Sequence, residues 1–381
     1  MKSEIRTAVI MGIVIVGVIA ALGVSFSYLD QNTQPQYQNS NTTTLQGTTT
    51  DLSNVVALID KSRYKQAPDL VGIAGYINTS PEELAAAIEG KVVLYDIWTY
   101  SCINCIRTLP FITAWDEKYV DDGLLIIGIH SPEFEFEKDL SNVQTAVDKH
   151  SINYPVILDN DKEIWEAFEN RYWPRKYLAD HEGYIRYDHI GEGSYDETEL
   201  EIQKLLKERS ESLGVKFVSA DTTVDVTEFT HSFQRVTPEL YFGYGFTRGN
   251  FGNENGFLPG QDVVYVLPKD DKYYKNKFYI QGTWNNMHDS MRLVSDSGYV
   301  VLPFVAKEVN IVAANNANLE ISLDGEIISA ERAGKHVDSD GIVRVSDSDL
   351  YNLVSTDDTE SHLLVIKVDT PDFEIFTFTF G

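Results

Sequence analysis

The stretch KVVLYDIW at residues 91–98 is β-branched and apolar on both faces around a single acid, and it runs straight into TYSCINCIRTLP. A strand that is apolar on both faces belongs in the middle of a sheet with helices above and below it, because a strand with one wet face alternates instead. The following run, CINCIRTLPFITAWDEKY, reads as a helix with Pro110 inside it. Cys102 and Cys105, the two cysteines of a 381-residue chain, therefore stand where a buried strand hands over to a helix N-terminus.

The neighbouring segments repeat that alternation. An N-cap at Ser80, Pro81 at the first helical position, Glu83 in a capping box and Gly90 at the end mark a helix before the strand. After it come strand LLIIGIHS (124–131), helix NVQTAVDKH, strand YPVILD (154–159), helix EIWEAF, strands RKYLAD (175–180) and GYIRYDHIG, and a closing helix DETELEIQKLLKERS. Strands and helices in this order make an α/β sheet with helices on both faces and an antiparallel pair at the end.

A helix start carries partial positive charge and unpaired N–H groups, so it favours a thiolate, and a cysteine placed there is suited to nucleophilic attack. Cys102 is the expected nucleophile. Cys105, one turn inward, is placed to attack the mixed disulfide formed at Cys102 and release the partner. Three readings without redox chemistry compete. A structural disulfide closing so short a loop removes little unfolded-state entropy. A zinc site needs four ligands, and His130, His150, His181 and His189 show no ligand spacing near a second cysteine pair. Two buried free thiols would act only as small apolar groups.

Other segments bound the setting. Ala8 to Phe26 holds no charge and no proline, with Lys2 and Arg6 before it and Asp30 after it. Such a run can span a bilayer with the N-terminus inside and everything after residue 30 outside. Gly23 and Ser25 offer the small residues of a signal-peptidase site, but the run exceeds a signal h-region, which favours a retained anchor. Residues 31–53 are mostly Gln, Asn, Thr and Ser and read as a tether. The net charge of −27 argues against nucleic acid, whose phosphates require a basic face. With 43% hydrophobic residues the chain can bury more than one core.

Beyond residue 214 the pattern changes to short alternating strands, including KFYIQGTW (277–284), YVVLPFVA (299–306), VNIVAA, LEISLDGEII with a turn at Asp324-Gly325, HLLVIKV and EIFTFTF. These read as a β-sandwich. Phe376, Phe378 and Phe380 are expected on one face, as core. Tyr241, Phe242, Tyr244, Phe246 and Trp284 could stack on a sugar or a client peptide, although aromatics in such domains are usually core.

The cysteine stretch resembles the active site of the thioredoxin superfamily. On that resemblance Asp96, six residues before Cys102, is the buried carboxylate that passes protons to and from the inner thiol, Trp98 is the strand-end tryptophan, and Pro110 is the helix-kinking proline. A cis-proline facing the thiols is also implied. WPRKYLAD offers Pro174 for it, which makes Trp173 and Pro174 the client contacts.

WTYSCINCIRTLP, HSPEFEFEKD, YWPRKYLADHEGYIRYDHIGEGSYDETE and the ending FTFTFG further resemble the extracytoplasmic part of DipZ-type proteins, over about residues 66–381. That part is a TlpA-like thioredoxin domain followed by a β-sandwich similar to carbohydrate-binding modules. The implied organisation is a cytoplasmic N-terminus (1–7), an anchor (8–28), a linker (29–65), a thioredoxin-like α/β domain (66–213) and a sandwich or jelly-roll domain (214–381). The implied partners are client proteins with disulfides, a membrane electron donor such as a CcdA-like protein and, for the second domain, a glycan; no cofactor or metal is implied. Two departures are expected to matter. One anchor stands in place of the polytopic CcdA-like domain of many relatives, and Ile103-Asn104 stands between the cysteines where thioredoxin has Gly-Pro.

The expected activity is thiol-disulfide oxidoreduction outside the cytoplasm at the cell membrane, as reductant or isomerase. The alternatives are an envelope- or glycan-binding module with a structural disulfide, and a thiol peroxidase. The latter would use Thr99-x-x-Cys102 but lacks the proline expected where Tyr95 stands. His130, Glu133 and Glu137 are expected to be structural, since polar groups at strand ends mostly cap and hydrogen-bond.

Overall fold

The computed structural model describes residues 60–217, 222–226 and 236–381. The expected cytoplasmic end, the anchor and most of the linker lie outside the described residues. Among those described, no helix is long and apolar enough to cross a membrane.

The apolar run becomes strand β2 (Val92–Trp98), with every residue buried. It pairs in parallel with β3 (Leu124–His130) and antiparallel with β5 (Arg175–Ala179), so its backbone is bonded on both edges. β4 (Val156–Leu158) continues the parallel side, β6 (Ile185–Ile190) the antiparallel side, and β1 (Gly75–Ile77) pairs antiparallel with β4 at the far edge. β1 escaped the sequence reading because three residues are too few to show a period of two.

Among the described residues, five α-helices flank this sheet. Helix α1 (Pro81–Ile88) starts at Ser80, whose hydroxyl accepts from Glu83 N at 3.3 Å. One face packs Trp98 with Leu109, Ile112 and Trp115 of α2 (Ile103–Tyr119), Val143 of α3 (Leu140–Lys149), and Ile202, Leu205 and Leu206 of α5 (Tyr195–Leu213). The other packs Tyr95, Ile97 and Ile127 with Leu84 of α1 and Ile164 of the short α4 (Glu163–Ala167). Each large aliphatic or aromatic side chain so buried contributes about 1.5–3 kcal/mol of apolar transfer.

Among the described residues, one isolated parallel bridge joins Phe251 and Phe278, and every strand-to-strand ladder of the C-terminal domain is antiparallel. Its strands are β7 (Leu240–Tyr241), β8 (Asp262–Tyr265), β9 (Tyr279–Asn286), β10 (Met291–Leu293), β11 (Gly298–Ala314), β12 (Ala317–Leu323), β13 (Glu326–Ile327), β14 (Ile342–Val345), β15 (Asp349–Val368) and β16 (Glu374–Phe380). The segments 299–306 and VNIVAA, expected as two strands, form one strand of 17 residues. Its start pairs with β9 and its end with β16 on the same edge, while β15, 20 residues long, follows it with register shifts after Ala306 and Val309. Two long bulged strands thus join the domain's strands into one hydrogen-bonded path from β13 to β8 around its main core, with β14 beside β12 and β7 beside β16 off that path.

A bulge also corrects the reading of the last strand. Thr377 faces Val312 and Ile375 faces Ala313, which leaves Phe376 without a register partner on β11. The extra residue flips the alternation. Phe378 and Phe380 enter the domain core, whereas Phe376 points to the seam with the first domain.

That seam packs Ile103 at the start of α2, together with Phe134, against Tyr241, Val312, Leu350 and Phe376. Polar contacts border it. Tyr100 Oη donates to Ser348 O at 3.0 Å, Arg107 pairs with Glu308 at 2.7 Å, and Tyr241 Oη lies 2.8 Å from Glu133 Oε1.

Candidate active site

Cys102 is the N-cap of α2, with extended backbone, and its Sγ accepts from Cys105 N at 3.4 Å. A helix leaves its first N–H groups unsatisfied, so the thiol sulfur occupies the position where an oxygen of Ser or Asp usually caps. Cys102 is partly exposed and Cys105 is buried, and both are free thiols. Burial pushes the Cys105 thiol well up, reinforced by the sulfur of Cys102 and the charge of Asp96.

Asp96 lies in β2 and is 1% exposed, and its Oδ1 has no hydrogen-bond partner. Burial raises its carboxyl to about 6, opposed by the positive charge of Lys176. The antiparallel register sets Lys176 of β5 directly across from Asp96. Its fully buried ammonium donates to Gly191 O at 3.1 Å, and burial lowers it to about 8 against the pull of Asp96 and Cys105.

The Trp173–Pro174 peptide bond is cis. Because Arg175 pairs with Ile97, this bond sits at the end of β2 from which Thr99, Tyr100 and Cys102 continue. Trp173 is half-buried, with its indole N–H donating to Ser131 O at 2.9 Å, and packs in the same cluster as Cys102.

Beside the thiols, the buried Glu137 accepts from Ser101 Oγ at 2.6 Å, Ser101 N at 3.4 Å, Glu133 N at 2.6 Å and Phe134 N at 3.0 Å. It ties the residue before Cys102 to the turn at the seam. Tyr100 N donates to His130 Nε2 at 3.4 Å, and burial holds that imidazole down at about 3, hence neutral. Burial and the charges of Glu239 and Glu137 raise Glu133 to about 8.

The structure therefore gathers Cys102, Cys105, Asp96, Trp173 and Pro174 at one end of the sheet. Of the aromatics considered for stacking, Tyr241, Phe242 and Trp284 are buried, and Tyr244 and Phe246 are half-exposed. Lys176 was missed, although a period of two along RKYLA places it on the face of the core residue Leu178. Two of the four donors to Glu137 had no local signal, since Ser101 lies 36 residues away in the chain.

Two families match: Redoxin over residues 65–219 and the thioredoxin-like C-terminal domain over residues 237–381. Protein DipZ of Mycobacterium tuberculosis is 33% identical over 318 residues, covering 83% of this chain and 43% of that protein. The chain thus spans under half the length of this relative. The thiol-disulfide oxidoreductase YkuV of Bacillus subtilis is 29% identical over 143 residues, 37% of this chain and 94% of YkuV. A solution structure of an oxidised thioredoxin-like protein aligns at 27% identity and TM-score 0.35, covering 39% of this chain and 99% of that one. With the two family matches in DipZ order on one α/β and one β-rich domain, the chain belongs to the thioredoxin superfamily, as a Redoxin-type domain followed by the thioredoxin-like C-terminal domain.

Proposed function

We propose that this protein is a thiol-disulfide oxidoreductase acting on protein disulfides through Cys102 and Cys105. The observation that carries the reading is the pairing of a half-exposed thiol capping α2 with a buried thiol one turn further in, next to the buried carboxyl of Asp96, which burial raises to about 6. In the reductive direction the Cys102 thiolate attacks a client disulfide, forming a mixed disulfide and expelling one client thiolate. Cys105 gives its proton to Asp96, attacks Cys102 Sγ, and expels the second client thiolate. Two electrons pass to the client and the Cys102–Cys105 disulfide remains. Trp173 and Pro174 present the backbone against which an extended client segment lies.

The finer proposals are that residues 8–28 anchor the chain with both domains outside the cytoplasm, that it works as reductant or isomerase, and that a membrane donor of the CcdA type restores the dithiol. A glycan at the C-terminal domain would have Tyr244 and Phe246 for stacking, as the other aromatics considered are buried. The test is turnover of a protein disulfide by the full chain supplied with a dithiol. Cys102→Ser is expected to abolish it and Cys105→Ser to accumulate a mixed disulfide. Equal residual activity in both variants would overturn the assignment of the attacking sulfur.

A further inference from the structure

A lysine side chain is almost never fully buried without a reason in charge, because removing an ammonium from water is expensive unless anions or acceptors replace the solvent. Lys176 is fully buried, at the strand position two residues after the cis-proline. Its backbone faces Asp96 across the β2–β5 ladder and His189 across the β5–β6 ladder. Its Nζ is held by Gly191 O at 3.1 Å and lies 5.8 Å from the centre of the Tyr195 ring. The charges acting on it come from three sides: Asp96 on β2, Cys105 on α2, and Glu192 in the loop before α5.

We propose that Lys176 is a positioning residue of the redox site, whose buried ammonium stabilises the single negative charge that passes between Asp96 and Cys105. This rests on the proposed thiol-disulfide chemistry and adds a group to it. Before resolution the charge is on the Asp96 carboxylate and the proton on Cys105. When the proton moves to Asp96, the charge moves to the Cys105 sulfur, which attacks Cys102 and breaks the bond to the client. Lys176 keeps its own proton throughout. It sits beside both resting places of the charge, so neither is a lone buried anion. Lys176 acts on Asp96 more strongly than on Cys105, and its removal is expected to favour the protonated acid, leaving little of the base form for the thiol near neutral pH.

The experiment uses the reduced full chain and an aromatic disulfide that releases a coloured thiolate. Attack by Cys102 releases the first equivalent and resolution by Cys105 the second, so the two steps separate in one trace. Lys176→Met is expected to leave the first phase within about twofold, to slow the second about tenfold at pH 7, and to move its pH-rate profile up by about two units. In an Asp96→Asn background the same substitution is expected to slow it by less than about twofold, because the group on which it acts more strongly is gone and only its smaller action on Cys105 remains. Lys176→Arg, which keeps the cation, is expected to stay within about threefold of wild type. An unmoved second-phase profile in folded Lys176→Met, or equal slowing in the Asp96→Asn background, overturns the proposal. If Lys176→Met does not fold by circular dichroism, the Arg variant decides: a loss of tenfold or more with the profile unshifted overturns it, and retention with the wild-type profile supports it. Absence of a second phase in the wild type, or its persistence in Cys105→Ser, overturns the parent redox reading instead.

Discussion

Two carboxyl groups near Cys102 are buried to the same degree, Asp96 at 1% exposed in β2 and Glu137 at 0% in the turn at the domain seam. Their surroundings differ in donors. Four N–H and O–H groups point at the oxygens of Glu137, supplied by Ser101, Glu133 and Phe134. Oδ1 of Asp96 receives none, and its compensating charge is the ammonium across the ladder. Burial alone therefore does not mark a proton-exchanging acid. A carboxyl whose acceptor positions are filled is a structural tie, whereas one left short of donors can take and release a proton at modest cost.

The contrast breaks most visibly at Glu137. Glu137→Ala strands several buried donors at once, and unfolding in denaturant is expected to show a loss of about 3–5 kcal/mol. A loss below about 1 kcal/mol would mean that water replaces the carboxylate and that the tie is dispensable.

Asp96→Asn is expected to act in the opposite direction. The fold raises this carboxyl from 3.8 to about 6, so it favours the protonated form. The stability this contributes is fully present below about pH 4 and is lost as pH rises through 6, a swing of about 3 kcal/mol for a shift of about 2 units. Asparagine does not titrate. The variant should match wild type near pH 4 and exceed it by up to about 3 kcal/mol above pH 6, while client turnover falls at neutral pH. Unfolding midpoints measured across pH 4–8 check the sign, and a gap that does not change with pH would remove Asp96 from the proton path.

The smallest effect sharpens the comparison on the seam side. Tyr241 Oη lies 2.8 Å from Glu133 and 3.0 Å from Glu239, and one hydroxyl can donate to only one of them at a time. Tyr241→Phe is expected to cost about 1 kcal/mol in a denaturant midpoint and to leave the pH profile of turnover unchanged. A shifted profile would show that the seam and the redox acid are coupled.

Much of the first domain was legible in its residues, for reasons that particular segments make plain. KVVLYDIW shows its central position because both faces are apolar, and Ser80-Pro81 marks a helix start because capping is decided within four residues. The second domain was less legible. The long strand 298–314 reads as two pieces because its register shifts lie on both sides of Lys307 and Glu308, where polarity interrupts the run. Phe376 was assigned to the wrong face because a bulge is set by the partner strand.

By itself the sequence determined the α/β class, the position of a dithiol at a helix start and the change to antiparallel strands after residue 214. Periodicity, capping and thiol spacing are local properties that a chain carries before it folds. Tertiary structure alone decided that Lys176 lies across from Asp96, that Glu137 is saturated while Asp96 is not, and that Ile103 between the cysteines is covered by Tyr241, Leu350 and Phe376. Those facts depend on strand register and domain docking between residues up to 273 positions apart, where a slip of one residue turns a side chain to the opposite face.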